Sequence, residues 1–389
     1  MPAFAKAFLK GMAGISIWYL KHVGAEGRLP QRGRELWRRA DGRHILGRKD
    51  MTILSKLRVA TLGVAFATFG AGMSQADVYK WITFKPQGAG DAQALTTQWL
   101  VDEFAKRTEG KHSIQVFWGG SVAGTKEIPD VLGAGAGDFG DIVTPYFPDQ
   151  MPLNNAVGFF IPQPKNSLEV GEFMENLHET YPQFDEELAS QNLYAFGFRP
   201  LEAYGLLCTK PVKNMADMKG LRVRSYGFAY PALIEAMGAT PVSIATSETY
   251  EALERSIVDC TPIGPALARG WKYDEVAKYY MEMPLGASFG HLLAMNLDSY
   301  KSMDPETQAI VDQLGHDYLV EYTRVLDEDD ARVRELWKGE LGVTVMDFPT
   351  EELTALVNDP GVQAVRAEWI EKADKLGVPA EKIAAELQF

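Results

Sequence analysis

Arg224 is the residue whose type and position most clearly suggest chemistry in this sequence. It lies in residues 221–225 (LRVRS), where apolar and polar residues alternate as they do in a short strand. A guanidinium offers a rigid fork of donors that matches a carboxylate, and its charge is not titrated at ordinary pH. Arg224 is therefore a candidate anchor for an anionic ligand. The alternative is that Arg224 ends a strand or pairs with an acid at the surface.

The sequence from residue 77 onward shows no catalytic constellation and no metal-binding motif. Its four histidines are scattered, and it has neither an HExxH segment nor paired cysteines spaced for zinc. The segment GASFG at residues 286–290 fits the GxSxG pattern, but it opens a predicted strand rather than the strand-to-helix turn of a nucleophile elbow. The glycine-rich residues 134–141 lack the lysine and hydroxyl residue of a phosphate loop. We therefore expect no catalytic residue, no metal and no cofactor. An enzyme without a known signature is the alternative.

Short strands and helices alternate around Arg224. Residues 230–237 have the apolar pattern of a helix, and residues 239–244 (ATPVSI) return to a strand. Ser247 is predicted to cap a helix that runs from residue 248 to about residue 256. This alternation of strands with short helices predicts a parallel sheet.

The segments around Arg224 also form a recognisable frame. ADMKGLRVR, EAMGATPV, SETYEAL and a final VD occur in this order between residues 214 and 259. The frame resembles the solute-binding proteins of tripartite ATP-independent periplasmic (TRAP) transporters, of the dicarboxylate-binding DctP type. In that family the arginine in the register of Arg224 binds the solute carboxylate. The resemblance covers residues 77–389 and implies an α/β, two-lobed periplasmic binding protein of type II, with hinge strands and a long bracing helix.

The same resemblance implies further residues in a ligand cleft. The positions that line the cleft in family members are occupied here by Lys85, Gln87, Tyr146, Tyr204, Pro262 and Phe289. The alternatives are a core position for Tyr146 and Phe289 and a solvated position for Lys85. Many family members carry a second arginine in the register of Tyr204. Arg199 is expected either to replace that arginine or to form an ion pair at the hinge.

Charge is distributed unevenly along the chain. Residues 1–76 contain 13 Lys and Arg against 4 Asp and Glu, so the total charge of -13 leaves -22 on residues 77–389. Nucleic-acid binding depends on neutralising phosphates, so a strongly acidic region argues against it. An anionic solute would need a local positive site, which increases the interest of Arg224.

A targeting segment is predicted before residue 77. Met51 starts a short basic stretch, MTILSKLR, followed by the apolar run VATLGVAFATFGAG. We expect residues 51–76 to be a signal peptide cleaved after Ala76, and the mature protein to be periplasmic. Residues 1–50 are then an upstream extension from a start assigned too early. An arginine-rich nucleic-acid-binding tract and an inserted apolar segment are the alternatives for residues 1–50.

The mature chain is predicted to form two lobes, and it passes between them more than once. Residues 77–200 and 288–330 are assigned to the first lobe, and residues 201–287 and 331–389 to the second. A β-α-β-α-β pattern opens the first lobe.

One long helix is predicted near the C-terminal end. Asp304 is its expected cap, Pro305 its first residue, and it runs to about Lys338. The acidic cluster at residues 327–330 is interpreted as a solvated face, because the glycine and distal glutamate of a calcium loop are absent.

Cys208 and Cys260 are the only cysteines. In an oxidising periplasm they are predicted to form a disulfide. Two buried free thiols are the alternative.

These observations predict the soluble receptor of a TRAP-type importer, which binds a small organic acid through Arg224 and closes its lobes around it. The resemblance implies a small and a large membrane subunit as partners, and we expect a monomer. Three alternatives remain: a receptor for a neutral, sulfonated or cationic solute, a ligand sensor for a signalling partner, and a secreted enzyme.

Overall fold

The computed structural model describes residues 77–88 and 91–388. The predicted upstream extension 1–50, the signal peptide 51–76 and its cleavage site lie outside these residues.

Strands and helices alternate through most of the described chain. The strands are β1 (Asp77–Ile82), β2 (His112–Phe117), β3 (Phe139–Ile142), β4 (Leu193–Ala203), β5 (Gly205–Cys208), β6 (Arg222–Ser225), β7 (Thr240–Ser243), β8 (Cys260–Ile263), β9 (Tyr279–Glu282), β10 (Ala287–Asn296) and β11 (Thr344–Asp347). The helices are α1 (Ala92–Arg107), α2 (Ile128–Gly133), α3 (Ser167–Thr180), α4 (Gln183–Ala189), α5 (Ala229–Ala236), α6 (Thr249–Glu254), α7 (Pro265–Gly270), α8 (Tyr273–Val276), α9 (Leu297–Ser302), α10 (Pro305–Leu336), α11 (Thr350–Val357), α12 (Pro360–Lys375) and α13 (Ala380–Ala385).

The strands form two mixed sheets. The first has the order β2-β1-β3-β10-β4, with β10 antiparallel to both of its neighbours. The second has the order β11-β9-β5-β8-β6-β7, in which β6 runs parallel to β7 and β8. The predicted parallel pairing around Arg224 is therefore confirmed. Helix α6 begins at Thr249, and Ser247, its predicted cap, lies in a preceding 3-10 turn.

Two of the passages of the chain between the two sheets lie next to each other. A single residue, Tyr204, separates β4 of the first sheet from β5 of the second. The return passes through residues 283–286 into β10, and the two passages are hydrogen-bonded: the Tyr204 amide donates to the Gly286 carbonyl, at 3.1 Å. These passages form the hinge region.

Helix α10 connects the cores of the two lobes. Leu314, Tyr318 and Tyr322 pack in a cluster on the first sheet, whereas Val333 packs in the cluster of the second. Its cap is Asp304, whose side chain accepts from the amides of Glu306 and Thr307. The predicted start of the long helix is confirmed, and the helix ends two residues before Lys338.

Close packing of α10 on β4 depends on one glycine. A Cβ placed on Gly315 would lie 1.5 Å from the carbonyl oxygen of Phe196. A side chain at this position would push the bracing helix away from the strand that leads into the hinge.

The C-terminal tail differs from the sequence assignment, which placed residues 331–389 in the second lobe. Leu356 and Val362 pack in the second-lobe core, but Trp369, Ile383 and Leu387 pack in a core cluster of the first sheet. The Trp369 indole donates to the Pro152 carbonyl at 3.0 Å. An apolar helix face can be recognised in a sequence, but the lobe that receives it depends on the folded shape.

Cys208 and Cys260 form a disulfide across the antiparallel pair β5–β8, where they are directly opposite each other. Along the described residues, no helix combines the length and apolarity needed to cross a membrane.

Candidate functional site

Arg224 lies in β6 and extends into a cleft between the lobes. Its side chain is buried, with the whole residue only 2% exposed. Nε donates to the carbonyl of Ile244 and Nη2 to Oγ1 of Thr246, both at 3.0 Å. The guanidinium carbon lies 4.5 Å from the ring centroid of Tyr226. These contacts hold the guanidinium in one orientation.

The charge of Arg224 is not neutralised within residues 77–88 and 91–388. None of their carboxylates lies within 4 Å of the guanidinium, and none of their atoms accepts a hydrogen bond from Nη1. Burial acts to lower the pKa of Arg224, the surrounding tyrosines raise it, and the net shift is upward. The group therefore stays charged. A buried unpaired charge is costly, so the site is complementary to an anion.

The cleft draws its walls from both lobes. It is lined by Phe84, Gln93, Val143, Pro145, Tyr146, Leu201, Tyr204, Arg224, Tyr226, Thr246, Ile263, Leu267, Trp271, Ser288, Gly290 and His291. Aromatic walls with a few polar groups are typical of small-molecule sites.

Both predicted tyrosines, Tyr146 and Tyr204, lie in this cleft with Arg224. Tyr146 reaches across from the first lobe, and its hydroxyl lies 3.0 Å from both the amide and Oγ1 of Thr246. Tyr204 occupies the hinge passage, and burial raises its pKa well above the ordinary value. Tyr204 therefore presents a neutral phenol at the position where many family members have a cation.

Arg199 is buried in the first lobe and does not line the cleft. Its Nη1 lies 3.3 Å from Oδ2 of Asp141, while Nη2 donates to Thr97 at 2.8 Å and Nε to Tyr318 at 2.5 Å. Of the two roles that the sequence left open, these contacts correspond to the ion pair near the hinge.

Lys85 is also buried and paired. Its Nζ lies 2.5 Å from Oδ2 of Asp91 and 4.6 Å from the ring centroid of Trp271. Burial lowers the pKa of Lys85, while Asp91 opposes that shift. Lys85 thus lies behind the cleft wall, with its charge matched by a neighbour.

Gln87 and Pro262 are not among the residues that line the cleft. Gln87 is exposed on the loop after β1, and Pro262 is buried in β8 beside the lining residue Ile263. Phe289 belongs to β10, where its backbone is paired with Pro200 between the lining residues Ser288 and Gly290.

Sequence reasoning missed several residues of the cleft. Tyr226 could have been found, because it follows Arg224 by two positions and a strand returns to the same face with that period. Thr246, Trp271 and His291 belong to no recognised motif, and only the fold brings them into the same cleft as Arg224. Within the described residues, no group of three or more His, Cys, Asp or Glu could hold a metal ion.

Comparison with known proteins relates this geometry to a family. Residues 87–364 match the family model described as bacterial extracellular solute-binding protein, family 7 (DctP). A solute-binding protein of Sulfitobacter sp. strain NAS-14.1 is 26% identical over 191 residues, which span 48% of this chain and 57% of that relative.

Solved structures show the same fold at low sequence identity. A TRAP periplasmic solute-binding protein of Desulfovibrio salexigens has a TM-score of 0.67 and 21% identity, over 80% of this chain and 94% of its own. An extracytoplasmic solute receptor of Bordetella pertussis that binds pyroglutamic acid has a TM-score of 0.65 and 19% identity, over 80% and 99%. A TRAP protein of Sulfitobacter sp. NAS-14.1 with bound β-D-galacturonate has a TM-score of 0.66 and 18% identity, again over 80% and 99%.

The family model covers most of the chain, and the two-lobed architecture is shared with these structures. The chain therefore belongs to the DctP family of bacterial extracellular solute-binding proteins.

Proposed function

We propose that this protein is the periplasmic receptor of a TRAP-type importer and that it binds a small organic acid, whose carboxylate pairs with Arg224. The observation that carries the proposal is a buried guanidinium, held by two hydrogen bonds, with no carboxylate partner among the described residues. A solute carboxylate would accept from Nη1 and supply the missing charge. Carboxylic acids bound to the Bordetella and Sulfitobacter proteins support this class of solute.

Contacts across the cleft support a mechanism in which the lobes close around the solute. Tyr146 of the first lobe is hydrogen-bonded to Thr246 of the second, and Phe84 stacks on Trp271 with ring centroids 6.4 Å apart. Thr246 also accepts from Arg224, so the group that anchors the carboxylate is connected to a contact that joins the lobes. Closure excludes water and strengthens the charged hydrogen bonds in the cleft. The closed shape is then what the two membrane subunits would recognise.

Calorimetry on Arg224→Ala tests the carboxylate contact. The probes are pyroglutamate, D-galacturonate and D-glucuronate, preceded by a thermal-shift screen in which a tight ligand raises Tm. We expect the best probe to lose affinity by about 2 to 5 kcal/mol, because the ligand charge is left unpaired in a buried site.

Arg222→Ala is the matched control for that experiment. Arg222 lies in the same strand but is exposed and 3.5 Å from Asp259. Its removal is expected to leave affinity unchanged. Equal affinity in wild-type protein and Arg224→Ala, or a thermal response confined to sulfonates or amines, would refute the carboxylate assignment.

Export is part of the proposal. We propose that residues 51–76 act as a signal peptide and that the mature chain starts at Asp77. N-terminal sequencing of the protein from the periplasm is expected to begin at Asp77, and a start far from this residue would contradict the cleavage site.

A further inference from the structure

His291 is a second polar group of the cleft, on the opposite lobe from Arg224. It lies in β10, lines the cleft and is 6% exposed. Its Nδ1 has no hydrogen-bond partner among the residues that the structure describes. Buried polar atoms are nearly always paired, so an unpartnered ring nitrogen in a ligand cleft indicates a group of the ligand.

The surroundings of His291 keep the imidazole neutral. Burial lowers its pKa well below the usual value, and the positive charges of Arg199 and Lys85 act in the same direction. A neutral imidazole has one N–H donor and one acceptor nitrogen. His291 is therefore suited to a hydroxyl or an amide.

Net charge differs between the two sides of the cleft. On the first-lobe side, Arg199 is paired with Asp141 and Lys85 with Asp91, so their charges are balanced. On the second-lobe side, the charge of Arg224 has no partner among the described residues. One uncompensated positive charge matches a ligand that carries one negative charge.

We propose that the solute is a monoanionic carboxylic acid with a neutral hydrogen-bonding group, a hydroxyl or an amide, and that this second group binds His291. The inference rests on the proposed contact between Arg224 and the carboxylate. It makes His291 a specificity-determining residue, because an acid without the second group leaves the imidazole unpaired. A second carboxylate would be buried without a cation to neutralise it, which is costly.

Matched pairs of acids test both parts of this proposal. Pyroglutamate and cyclopentanecarboxylate share a five-membered ring and one carboxylate, but only pyroglutamate has an amide in the ring. Succinamate and succinate share a chain, and the second carboxylate of succinate is an amide in succinamate. Affinities are measured by calorimetry for the wild-type protein, His291→Phe, His291→Asn and Arg224→Ala, with circular dichroism to verify folding.

The wild-type protein is expected to prefer pyroglutamate to cyclopentanecarboxylate, and succinamate to succinate, by about tenfold each. His291→Phe keeps a ring but loses both nitrogens, so the first preference should fall to about twofold or less. His291→Asn retains a polar atom near the position of Nδ1 and should restore part of it.

An unchanged preference in His291→Phe, or binding of succinate at least as tight as that of succinamate, would overturn the assignment. The comparison of succinamate with succinate uses wild-type protein only and does not depend on the folding of a variant. If none of the four acids, D-galacturonate or D-glucuronate binds, or if Arg224→Ala binds the best acid as tightly as the wild-type protein, the proposed function itself is defeated. Binding that depends on Arg224 with no effect of His291→Phe would defeat only the role of His291.

Discussion

Two buried arginines, Arg199 in the first lobe and Arg224 in the second, have opposite electrostatic surroundings. Arg199 has a carboxylate, Asp141, at 3.3 Å and two further hydroxyl partners. Arg224 has a carbonyl and a hydroxyl as partners, but no carboxylate within the described residues. Both side chains are almost completely buried, so exposure does not distinguish them. The difference supports a structural role for Arg199 and the proposed carboxylate contact for Arg224.

Glu202 adds a third case to this comparison. It is buried next to the hinge passage, accepts from the Leu267 amide at 2.8 Å, and has no cation among its hydrogen-bond partners in the described part of the chain. Burial raises its pKa to about 8, although the hydrogen bond from Leu267 opposes the shift. A carboxylate can respond to burial by taking up a proton. An arginine cannot lose its charge in this way, so Arg224 keeps its positive charge although it is buried.

The largest effect on stability is expected from Arg199→Met. The change leaves Asp141 charged and buried without its cation, which should lower the free energy of unfolding by about 3 to 5 kcal/mol. Urea unfolding of the unliganded protein measures this value. Adding Asp141→Asn to Arg199→Met should recover part of the loss, because the unpaired charge is removed. A loss of stability below about 1 kcal/mol in Arg199→Met would contradict the structural role of this pair.

Arg224→Met should give the opposite result in the same unfolding experiment. It removes a buried charge that lacks a carboxylate partner, so the free energy of unfolding without ligand should fall by less than about 1 kcal/mol or should rise. The affinity for the best carboxylate should nevertheless fall by about 2 to 5 kcal/mol. If Arg224→Met destabilised the protein as strongly as Arg199→Met, the contrast between the two arginines would be lost.

Glu202 predicts a dependence of stability on pH. Its pKa rises from 4.5 to about 8 on folding, so between these values the folded state holds a proton that the unfolded state has released. The stabilising contribution of Glu202 is complete below pH 4.5, and it is lost as the pH rises through about 8. The slope approaches about -1.4 kcal/mol per pH unit within the window. Urea unfolding between about pH 5 and pH 8 should show this slope in the wild-type protein relative to Glu202→Gln; parallel curves would contradict it.

The smallest predicted effect belongs to the contact between the lobes at Tyr146. Tyr146→Phe removes the hydroxyl that is hydrogen-bonded to Thr246, the residue that also contacts Arg224. Carboxylate affinity should fall by about 1 kcal/mol, measured by calorimetry. The control is Tyr250→Phe, since the hydroxyl of Tyr250 makes no hydrogen bond within the described residues. An equal loss in both variants would remove the link between closure and the Arg224 site.

The sequence predicted much of the fold that positions this site. The alternation around Arg224, the Asp304 cap with Pro305 and the opposed Cys208 and Cys260 all appear in the structure. The tail was less predictable, since Trp369 packs in the first-lobe cluster rather than with the second lobe. Among the cleft residues, His291 and Thr246 carried no signal in the sequence because neither belongs to a local motif.

The sequence by itself determined the strand that holds Arg224, the family frame around it, and the helix that starts at Asp304. These features depend on neighbours within a few residues, where periodicity and capping act. Only the tertiary structure decided which buried charges are neutralised. The contact of Arg199 with Thr97 joins residues 102 positions apart, and that of Tyr146 with Thr246 joins residues 100 apart. Whether a buried arginine stabilises the fold or awaits an anion is set by such distant partners, because electrostatic pairing depends on distance in space rather than along the chain.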